Sequence, residues 1–586
     1  MIVGIDLGTS TSEVAFVEKN GQVVVIPNEE GELITPSVVY LKQSGRALVG
    51  NRAKEYLFTR PDCTFMEVKR SFGTDVKFTA HEKTYAPEEI QAHIIEYLVD
   101  CAEEFTGEDV TGAVITVPAY FTDVQRKQTI RAGALAGIQV ERVINEPTAA
   151  ALDHGLQNLN ECEYILVYDF GGGTLDVTVL ELFEGVIDVK SSCGNNRLGG
   201  KDFDAALMKH IAGRHYKAIM ADPKAQMKLK QAATDAKITL SEAGSARVRL
   251  PLIIEDVTID LSVTRTDFEE IIWPLLITTG EQINTALTDA GLSPSSLQKV
   301  ILVGGTTRIP RVRAFVEENL GVAISVGHDH SPELMVVRGA AIQAAIIEGV
   351  IEEENSVVLS DICPFSLGIK TVTAEGIRVD PLIKKNVAIP YEYSKVYWAM
   401  YEYQRKILFA IYQGESKYPQ ENTRIGQLEL DKLPQRKNER AGAEVTFSYD
   451  NNGILNVTAR ALGNDNTAAT VIDINNNDFP IRPPVKLSEW EQVKGASKYR
   501  PLLRKAQKIV DEYIDTPVFI EEELFSILDL CDELKADLIL GFEQDAEAKA
   551  KEIREFIDSW NKEDDEDNGD HSKALRELLD LMKKRK

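Results

Sequence analysis

Hydrophobic and polar positions alternate in two ways over the first 350 residues of the chain. The short apolar runs MIVGIDL, GAVITVP, YILVYDF and KVILVGG are rich in β-branched residues, which is typical of buried strands. Between these runs, apolar residues recur at the spacing of one helix face, for example over 122–136 and 229–240. Strands that alternate with helices predict an α/β architecture.

The pattern changes twice after residue 350. The segment EEENSVVLSD, which begins at Glu352, combines a charged stretch with a short apolar patch and indicates a linker. Strand signals then dominate 361–474, where DNNG at 450–453 is typical of a hairpin turn. Beyond the proline pair at 483–484, helical spacing returns. We therefore predict a mostly β region followed by a helical region.

Two local signals predict helix boundaries in this last region. Ser488 and Glu491 form an S-x-x-E capping box, which predicts a helix start. Gly541 predicts a helix end, because glycine readily adopts the left-handed conformation found there. A chain of 586 residues exceeds what one hydrophobic core usually supports, so we expect three or four folding units.

The composition is acidic, with 65 Lys+Arg against 92 Asp+Glu and a formal charge of -27. Such a charge argues against nucleic acid or an anionic membrane surface as a main partner. The six cysteines lie far apart without a C-x-x-C pair, which suits a reducing compartment. The sequence has no 18-residue apolar run and no stretch of signal-peptide type, so we expect a cytoplasmic protein.

Two glycine-rich segments share one plan. GIDLGTSTSEVAFV (4–17) and VYDFGGGTLDVTVL (167–180) each contain an apolar strand, an aspartate, a glycine-rich turn with threonine and a second apolar strand. Each turn can offer backbone N–H groups to phosphate oxygens. Asp6 and Asp169 would face each other across a cleft, where a hard cation such as Mg²⁺ must offset their repulsion of phosphate. A lone GGG would equally suit a tight hairpin turn, and it is the pair that favours phosphate binding.

The common nucleotide-binding motifs are absent from the sequence. GGK at 199–201 is followed by Asp202 rather than Ser or Thr, and no G-x-G-x-x-G opens a helix after a strand. A third strand and turn, VILVGGTTRIP (300–310), supplies another glycine pair and Arg308. This unit suits a nucleoside, with the guanidinium over the base.

Seven segments together resemble the signature segments of the 70-kDa heat-shock chaperone family, the DnaK-type chaperones: GIDLGTSTS, VPAYFTDVQR, INEPTAAAL, YDFGGGTLDV, LGGKDFD, VGGTTRIP and PFSLGI. The resemblance is strong to about residue 475 and holds only in general plan beyond it. It implies four parts: a two-lobed α/β actin-like ATPase domain (1–353), a linker (354–360), a β-sandwich that binds extended peptides (361–480), and an α-helical lid with a C-terminal tail (481–586). The lid is shorter than is usual in the family, and in this respect the sequence resembles a specialised bacterial member.

The resemblance also implies a catalytic centre. Lys69 would contact the γ-phosphate and help to position the attacking water. Glu146 and Asp169 would orient that water and the hydrated Mg²⁺, with Asp169 binding the ion through water. Asp6 and Asp176 would support the ion sites, and Thr174 would contact the γ-phosphate. Similar family members also place K⁺ near the phosphates, so K⁺ is a second candidate ion.

The ATP or ADP itself would lie against four glycine-containing segments and the segment 237–241. The residues that the resemblance assigns to this role are Gly8, Thr9, Ser10, Thr11, Gly171, Gly172, Gly173, Gly199, Gly200, Lys237, Ser241, Gly304, Gly305, Thr306, Arg308 and Glu333. Any one of the charged residues, taken alone, is typical of a solvated surface. The joint order of the motifs is what favours a site.

The sequence departs from the family pattern at four positions. Thr234 stands where a glutamate usually helps to read the adenine, and Glu333 replaces a usual aspartate nearby, so we expect purine affinity or selectivity to differ. Lys201 replaces an acidic residue and either tightens nucleotide binding or lies in solvent. Ser360 makes the linker less apolar, which we expect to weaken coupling.

Two further groups of residues follow from the resemblance. Those that would couple the ATPase domain to peptide binding are Pro118, Arg126, Val357, Val358, Leu359 and Asp361. Those that would surround a peptide channel are Ile369, Thr371, Val372, Tyr397, Met400, Ile407 and Phe409. The alternative for the second group is ordinary sandwich core. Two of its members, Ile407 and Phe409, lie two apart and so share one face of a strand, which favours a pocket.

The function that the resemblance implies is an ATP hydrolase that works as an ATP-driven chaperone. Its partners would be unfolded or extended client peptides, a J-domain co-chaperone and a candidate nucleotide exchange factor. A small-molecule kinase and a filament-forming ATPase of the actin-like fold are the alternatives, although neither needs the β and helical regions. His328 and His330 form an H-x-H without an evident third ligand, and we predict loop residues there.

Overall fold

The computed structural model describes residues 1–155, 162–183, 185–321, 331–351, 357–373, 376–399, 404–434, 439–463, 466–471, 485–513 and 521–566. Several positions singled out in the sequence lie outside the described residues: Glu352, the proline pair at 483–484, His328, His330 and Met400. No helix in the described ranges has the length and apolar character that a bilayer crossing requires.

Seventeen strands and ten helices are described between residues 1 and 351. The strands are β1 (Ile2–Leu7), β2 (Thr11–Val17), β3 (Val23–Val25), β4 (Thr35–Pro36), β5 (Val38–Leu41), β6 (Ala47–Val49), β7 (Thr64–Met66), β8 (Phe78–Ala80), β9 (Lys83–Tyr85), β10 (Gly112–Val117), β11 (Gln139–Asn145), β12 (Cys162–Phe170), β13 (Leu175–Phe183), β14 (Val186–Asn195), β15 (Ser245–Ile254), β16 (Val257–Thr264) and β17 (Lys299–Val303). The helices are α1 (Asn51–Lys54), α2 (Pro87–Thr106), α3 (Asp123–Leu135), α4 (Glu146–Gly155), α5 (Gly200–Ala212), α6 (Tyr216–Met220), α7 (Pro223–Glu242), α8 (Arg265–Asp289), α9 (Pro310–Leu320) and α10 (Met335–Glu348). The predicted helices at 122–136 and 229–240 correspond to α3 and to part of α7.

The remaining described chain is first β and then helical, as predicted. Its strands are β18 (Val358–Ile362), β19 (Leu367–Thr373), β20 (Gly376–Ile383), β21 (Ala388–Ile389), β22 (Tyr391–Trp398), β23 (Ile407–Gln413), β24 (Thr423–Leu430), β25 (Gly442–Tyr449), β26 (Leu455–Ala461) and β27 (Thr467–Val471). Its helices are α11 (Arg500–Tyr513), α12 (Glu521–Leu540) and α13 (Glu543–Glu566). The DNNG hairpin turn is confirmed, because the Gly453 N–H donates to the Asp450 carbonyl at 3.0 Å between β25 and β26.

Two six-stranded sheets repeat one motif. Sheet 1 has the order β11-β10-β1-β2-β3, with β4 paired to β2, and sheet 2 has the order β17-β12-β13-β14-β18-β21. In each sheet an antiparallel hairpin, β1–β2 or β12–β13, carries a parallel neighbour on its first strand, β10 or β17. The repeat of sequence is therefore a repeat of topology, and both glycine-rich turns lie at the end of a hairpin.

Helices α4 and α10 connect the two sheets. Their side chains share one core with β10 and β11 of sheet 1 and with β12, β13 and β17 of sheet 2. The helices pack so closely that a Cβ atom at Gly339 would lie 1.7 Å from the Ala149 carbonyl oxygen. Such a contact leaves no room for a side chain, so Gly339 fixes the spacing between the sheets.

Two four-stranded sheets, β20-β19-β23-β24 and β22-β25-β26-β27, bury a common core between them. The predicted linker is not separate from the neighbouring sheets. Its residues Val358, Leu359 and Ser360 belong to β18, which pairs in parallel with β14 and in antiparallel with β21. Backbone pairing, which apolar patterning does not reveal, therefore makes the linker part of sheet 2.

The helical region begins later than predicted. Leu487–Gln492 is a 3-10 turn without a side-chain cap, so the capping-box prediction at Ser488 and Glu491 was wrong. The α-helix starts at Arg500. Gly541, with a φ of 78°, follows α12 as predicted. Helices α11, α12 and α13 share a small core of their own, which explains why their boundaries follow tertiary packing rather than the local cap signal.

Candidate nucleotide-binding and catalytic site

A cavity of about 700 Å³ is lined by loops of both sheets and by α7. Most residues predicted to hold nucleotide line it: Gly8, Thr9, Ser10, Thr11, Gly171, Gly172, Lys237, Ser241, Gly304, Gly305, Thr306, Arg308 and Glu333. Of the predicted catalytic residues, Asp6, Glu146, Asp169 and Thr174 also line it. Cavities of this size accommodate small ligands and cofactors.

The glycine loop of sheet 2 is packed against two other segments. Gly200 and Lys201 donate their N–H groups to the carbonyls of Gly171 and Gly172, both at 3.0 Å. A Cβ atom at Gly199 would lie 2.4 Å from the Gly173 nitrogen. Gly199, Gly200 and Gly173 therefore shape the loop from behind rather than line the cavity. Glycine is needed here because the start of α5 presses directly on the backbone of the turn.

The glycine loop of sheet 1 approaches the glycine loop of sheet 2 from the other side. A Cβ atom at Gly172 would lie 2.1 Å from Ser10 Oγ, and one at Gly173 would lie 3.0 Å from Thr9 Cγ2. The two turns, far apart in the chain, thus meet at one end of the cavity. Backbone N–H groups from both can converge on one anion.

Buried carboxyl groups lie beneath the two turns. Asp6 pairs in register with Glu13 across β1–β2, and Asp169 pairs with Asp176 across β12–β13. Asp6 Oδ1 accepts a hydrogen bond from Thr116 Oγ1 at 2.6 Å, and Asp176 Oδ1 accepts one from the Tyr120 N–H at 3.0 Å. Asp176 lies behind the cavity lining, next to the loop between β10 and α3 that contains Tyr120.

Burial changes the acidity of these groups. It raises the pKa of Asp6 to about 7 and that of Asp176 to about 7, and the negative charge of Glu146 contributes to both shifts. Burial, with repulsion from Glu146, Asp176 and Asp6, also holds the pKa of Asp169 well above its usual value. A cluster that resists ionisation in this way favours a cation nearby.

Lys69 supplies a positive charge at the same end. It lies in the 3-10 turn Val68–Ser71, and its Nζ donates to Glu146 Oε1 at 2.8 Å. The ammonium lies 5.3 Å from the centre of the Phe121 ring, which shields it from solvent. Lys69 is almost completely buried and does not line the cavity itself, whereas its partner Glu146 does. A buried lysine and glutamate so close to the aspartates can act on a phosphate or on a water beside it.

The other end of the cavity suits a nucleoside. Arg308 is held by Glu333, with its Nη2 at 2.6 Å from Glu333 Oε2. Lys237 Nζ lies 2.8 Å from Asp204 Oδ1, and Ser241 Oγ donates to the Lys237 carbonyl at 3.0 Å. The replaced position, Thr234, lines the cavity beside them on α7.

Sequence reasoning missed Glu13, although a signal was present. Glu13 is fully buried in the cavity wall, and burial together with the charge of Asp6 raises its pKa. It follows Asp6 by seven residues, as Asp176 follows Asp169. The spacing within the internal repeat therefore pointed to position 13. The position was missed because it holds a glutamate where the second copy holds an aspartate.

Lys201 does not lie in solvent, so that alternative is wrong. Its side chain is 12% exposed, lines the cavity and pairs with Glu67, with 3.1 Å between Nζ and Oε1. Lys230 of α7 also pairs with Glu67. Neither Glu67 nor Lys230 was predicted, because the sequence gives no sign that positions 67, 201 and 230 meet.

Comparison with known proteins shows the family to which the chain belongs. A family model described as "Hsp70 protein" matches residues 2–78 and 74–480. Three relatives described as "Chaperone protein DnaK", from Thermotoga petrophila, Thermotoga sp. (strain RQ2) and Thermotoga maritima, are each 40% identical over 481 residues, or 80% of this chain and 80% of the relative. The chain belongs to the Hsp70 family.

This Hsp70 is an ATP-driven molecular chaperone and an ATP hydrolase. Members of the family bind nucleotide, typically with Mg²⁺, in a two-lobed ATPase domain, and they bind unfolded client peptides in a sheet-rich domain next to a helical lid. A small-molecule kinase or a filament-forming ATPase is not favoured, because the match continues through the β region to residue 480.

Buried polar contacts connect the ATPase part of this Hsp70 to β18. Arg126 Nη2 donates to Asn145 Oδ1 at 2.6 Å, and Asn145 Nδ2 donates to Asp361 Oδ2 at 2.7 Å. Pro118 is buried where β10 ends, and the Phe121 N–H donates to its carbonyl at 3.1 Å. The predicted coupling residues Arg126 and Asp361 are thus brought together through Asn145, which was not predicted.

The apolar linker residues lie in two environments. Val357 is buried in the core around α4, and Leu359 packs against the same core. Val358 points away and is 60% exposed. Alternation along a strand explains the difference, because successive side chains of β18 face opposite sides.

The hairpin turn of the β region also contacts the ATPase part. The Leu455 N–H donates to Asp123 Oδ1 at 2.8 Å, and the Val143 N–H donates to Asn452 Oδ1 at 3.1 Å. Both contacts join positions more than 300 residues apart, so no local pattern could have indicated them.

The predicted peptide-channel residues separate into two groups. Ile369 and Phe409 are buried within the sandwich core, and Tyr397 packs its ring 6.2 Å from that of Phe409. Tyr397 Oη donates to Asp380 Oδ2 at 2.6 Å. Thr371 and Ile407 are half-buried and Val372 is exposed, while Met400 lies outside the described residues. Ile369 and Phe409 lie where both sheets cover them, which fits the alternative that they belong to the sandwich core rather than to a peptide channel.

Proposed function

We propose that residues 1–353 form the actin-like ATPase domain of this Hsp70 and that the cavity between the two glycine loops holds ATP. The observation that carries the proposal is the repeated arrangement of buried carboxyl groups, Asp6 opposite Glu13 and Asp169 opposite Asp176, with the charges of the Lys69–Glu146 pair acting on both Asp6 and Asp169. Lys69 contacts the γ-phosphate, Glu146 and Asp169 orient the attacking water, and Thr174 binds the γ-phosphate.

The donor set fits Mg²⁺, a hard cation that takes oxygen ligands. Asp176 Oδ2 and Glu13 Oε1 are buried and have no hydrogen-bond partner among the described residues, which leaves lone pairs available for a hydrated ion. Asp6, Asp169 through water, and Asp176 would hold it. In the described ranges, no three carboxylate, imidazole or thiol groups converge as direct ligands would, so waters complete the shell. Bound Mg²⁺ would neutralise phosphate charge, and K⁺ is proposed as a second ion near the phosphates.

The adenosine binds between α7 and the turn after β17 in this proposal. Arg308, oriented by Glu333, lies over the base, while Lys237 and Ser241 line the pocket below it. Thr234 lines the cavity with a shorter side chain than the usual glutamate, which supports altered affinity or selectivity for the purine.

Residues 354–360 are proposed as the linker, 361–480 as the peptide-binding sandwich and 481–586 as the lid and tail. Pairing of β18 with β14, and the chain of hydrogen bonds from Arg126 to Asp361, support a state in which the linker is docked on the ATPase domain. The lid contacts the sandwich through Lys370 Nζ and Asp529 Oδ2 at 2.6 Å. ATP favours the docked linker and an open lid, and hydrolysis releases both. Thr371, Val372, Tyr397, Met400 and Ile407 are the proposed lining of the peptide channel.

The proposed partners are extended client peptides, a J-domain co-chaperone and a nucleotide exchange factor. The cytoplasm is the proposed location, supported by six free thiols, five of them buried. Coupling free energies are typically ~1–3 kcal/mol and reciprocal, so peptide accelerates hydrolysis if ATP weakens peptide binding.

The test is ATP turnover of the wild type, Lys69→Ala and the exposed control Lys77→Ala, each with and without an aliphatic heptapeptide. We expect peptide to raise turnover of the wild type and the control about fivefold or more. We expect Lys69→Ala to bind ATP normally but to lose turnover about a hundredfold, as removal of a group that stabilises the transition state does. If the heptapeptide left ATP turnover of the wild type unchanged, the proposed coupling would be contradicted. If Lys69→Ala hydrolysed ATP at the wild-type rate, Lys69 would have no part in the mechanism.

A further inference from the structure

The charges around the cavity are unevenly distributed. Five carboxyl groups, Asp6, Glu13, Glu146, Asp169 and Asp176, cluster with one ammonium, that of Lys69, at the end next to the sheets. At the wall formed by α5 and α7, charges of both signs are present. There Lys201 and Lys230 share the carboxylate of Glu67, and Lys237 pairs with Asp204.

Lys201 reaches the point where the two glycine loops meet. Its N–H donates to the Gly172 carbonyl at 3.0 Å, so its backbone is fixed to the second loop. A Cβ atom at Gly172 would lie 3.5 Å from Lys201 Cε and 2.1 Å from Ser10 Oγ. The aliphatic stem therefore passes alongside both turns before the ammonium reaches Glu67.

Glu67 connects the two walls of the cavity. It precedes the turn that carries Lys69, and its backbone is left-handed, with a φ of 61°, which is unfavourable for a glutamate. Its carboxylate pairs with Lys201 of α5 and Lys230 of α7, on the far side of the cleft. One carboxylate cannot neutralise two ammonium groups, so an anion that enters the cavity finds an unmatched positive charge.

We propose that Lys201 is a phosphate-binding residue of the nucleotide site, whose ammonium is held ready by Glu67 and contacts the polyphosphate of bound ATP or ADP. The inference rests on the nucleotide site proposed above and adds a cation to it. Lys201 contributes to the affinity for the phosphates and not to that for the nucleoside, because its stem passes along the glycine loops and its ammonium pairs with Glu67, whereas the proposed nucleoside pocket lies at Arg308.

The acidity of Lys201 supplies an independent readout. Burial lowers its pKa to about 8, opposed by the charge of Glu67 and assisted by that of Lys230. Asp204, on the same helix, also faces it. An ammonium with this pKa loses its proton between pH 7 and pH 9, so nucleotide affinity decreases over that interval. Asp6 and Asp176 titrate nearby with pKa values of about 7, and a variant that lacks only the lysine separates the two contributions.

Isothermal titration calorimetry of the full chain with Mg²⁺–ADP and with adenosine tests the proposal. Lys201→Met is compared with Lys228→Met, an exposed lysine on α7 two residues from Lys230. We expect Lys201→Met to bind ADP about tenfold to a hundredfold more weakly, the range for a charge-assisted hydrogen bond, and adenosine within twofold of the wild type. Lys228→Met should bind both normally.

Lys201→Arg controls for folding and for charge. Lys201→Arg should bind ADP as the wild type does at pH 7. Between pH 7 and pH 9 the affinity of the wild type should fall by up to about tenfold more than that of Lys201→Met. Lys201→Arg should not show this additional fall, because guanidinium does not titrate in this range. The proposal would be overturned if Lys201→Met bound ADP as tightly as Lys228→Met does. It would also be overturned if Lys201→Met lost affinity for adenosine and for ADP to the same extent. A wild type that binds neither ligand would instead overturn the nucleotide site itself.

Discussion

The two glycine loops share a backbone plan but differ in what fills them. The loop of sheet 1 carries hydroxyl side chains at Thr9 and Ser10, whereas the loop of sheet 2 carries Gly172 and Gly173 at the equivalent positions, and both loops then continue with a threonine. The second loop is occupied from behind by the start of α5, where Gly199 presses against Gly173. The comparison shows that the repeated loop keeps its backbone geometry in both sheets. In sheet 2 the loop lacks side chains at these two positions, which leaves room for the start of α5 to pack against its backbone.

The largest expected difference concerns the first glycine of each loop. A Cβ atom at Gly8 would lie 2.1 Å from the Thr11 carbonyl oxygen, but one at the equivalent Gly171 would lie 3.9 Å from that of Thr174. We expect Gly8→Ala to weaken ADP binding about tenfold to a hundredfold, since overpacking costs about 1–3 kcal/mol, and Gly171→Ala to change it less than threefold. Calorimetry with Mg²⁺–ADP measures both, and equal losses would mean that the loops are equivalent after all.

The second expected difference is the pH dependence of stability. The folded pKa values of Asp6 and Asp176, about 7, exceed the ordinary 3.8, so between these values the folded protein binds more protons than the unfolded chain. The free energy of unfolding therefore falls as pH rises from about 4 to about 7. Raised pKa values at Asp169 and Glu13 act in the same direction.

Removal of one charge should reverse part of this loss. We expect Asp176→Asn to unfold at least roughly 2 °C above the wild type at pH 8, without nucleotide or Mg²⁺, and by a smaller margin at pH 5, where only part of the loss has occurred. The exposed control Asp75→Asn should show no gain. Thermal unfolding followed by circular dichroism measures the shift, and an Asp176→Asn protein that is less stable at pH 8 would contradict the prediction.

The smallest expected effect tests how each aspartate is held. Asp6 depends on a side-chain donor, Thr116 Oγ1, whereas Asp176 is held by the backbone N–H of Tyr120, which substitution cannot remove. Thr116→Val should lower turnover about twofold to tenfold, in line with a net ~0.5–1.5 kcal/mol for one hydrogen bond. Single-turnover hydrolysis with the exposed control Thr79→Val checks this, and unchanged hydrolysis would show that the donor is dispensable.

Sequence alone predicted the parts of the site that the chain repeats. The alternation of strands and helices, the two glycine loops and the facing aspartates followed from periodicity and spacing, and the structure brings Asp6 and Asp169 to one cavity. Glu13 was accessible by the same spacing and was missed because its residue type differs. These features share one property, which is that each can be recognised within a short segment and then matched to its repeat elsewhere in the chain.

The features that were not predicted depend on distant parts of the chain. Glu67 meets Lys201 and Lys230 only after three separate segments pack, and Asp123 meets Leu455 across more than 300 positions. At Ser488 a local cap signal predicted a helix that tertiary packing does not form there. Near Ile369, patterning on one strand could not distinguish a pocket from the core that the second sheet completes.

Strand β18 has a consequence for the exposed edges of this chaperone. It covers β14 on one side and β21 on the other, so in this arrangement neither of those strands presents unpaired N–H and C=O groups there. Release of β18 from Val186, Ile187 and Asp188 would turn β14 into a sheet edge, and such edges readily accept another strand. The proposed undocking of the linker would therefore also expose β14 as a short sheet edge on the ATPase part.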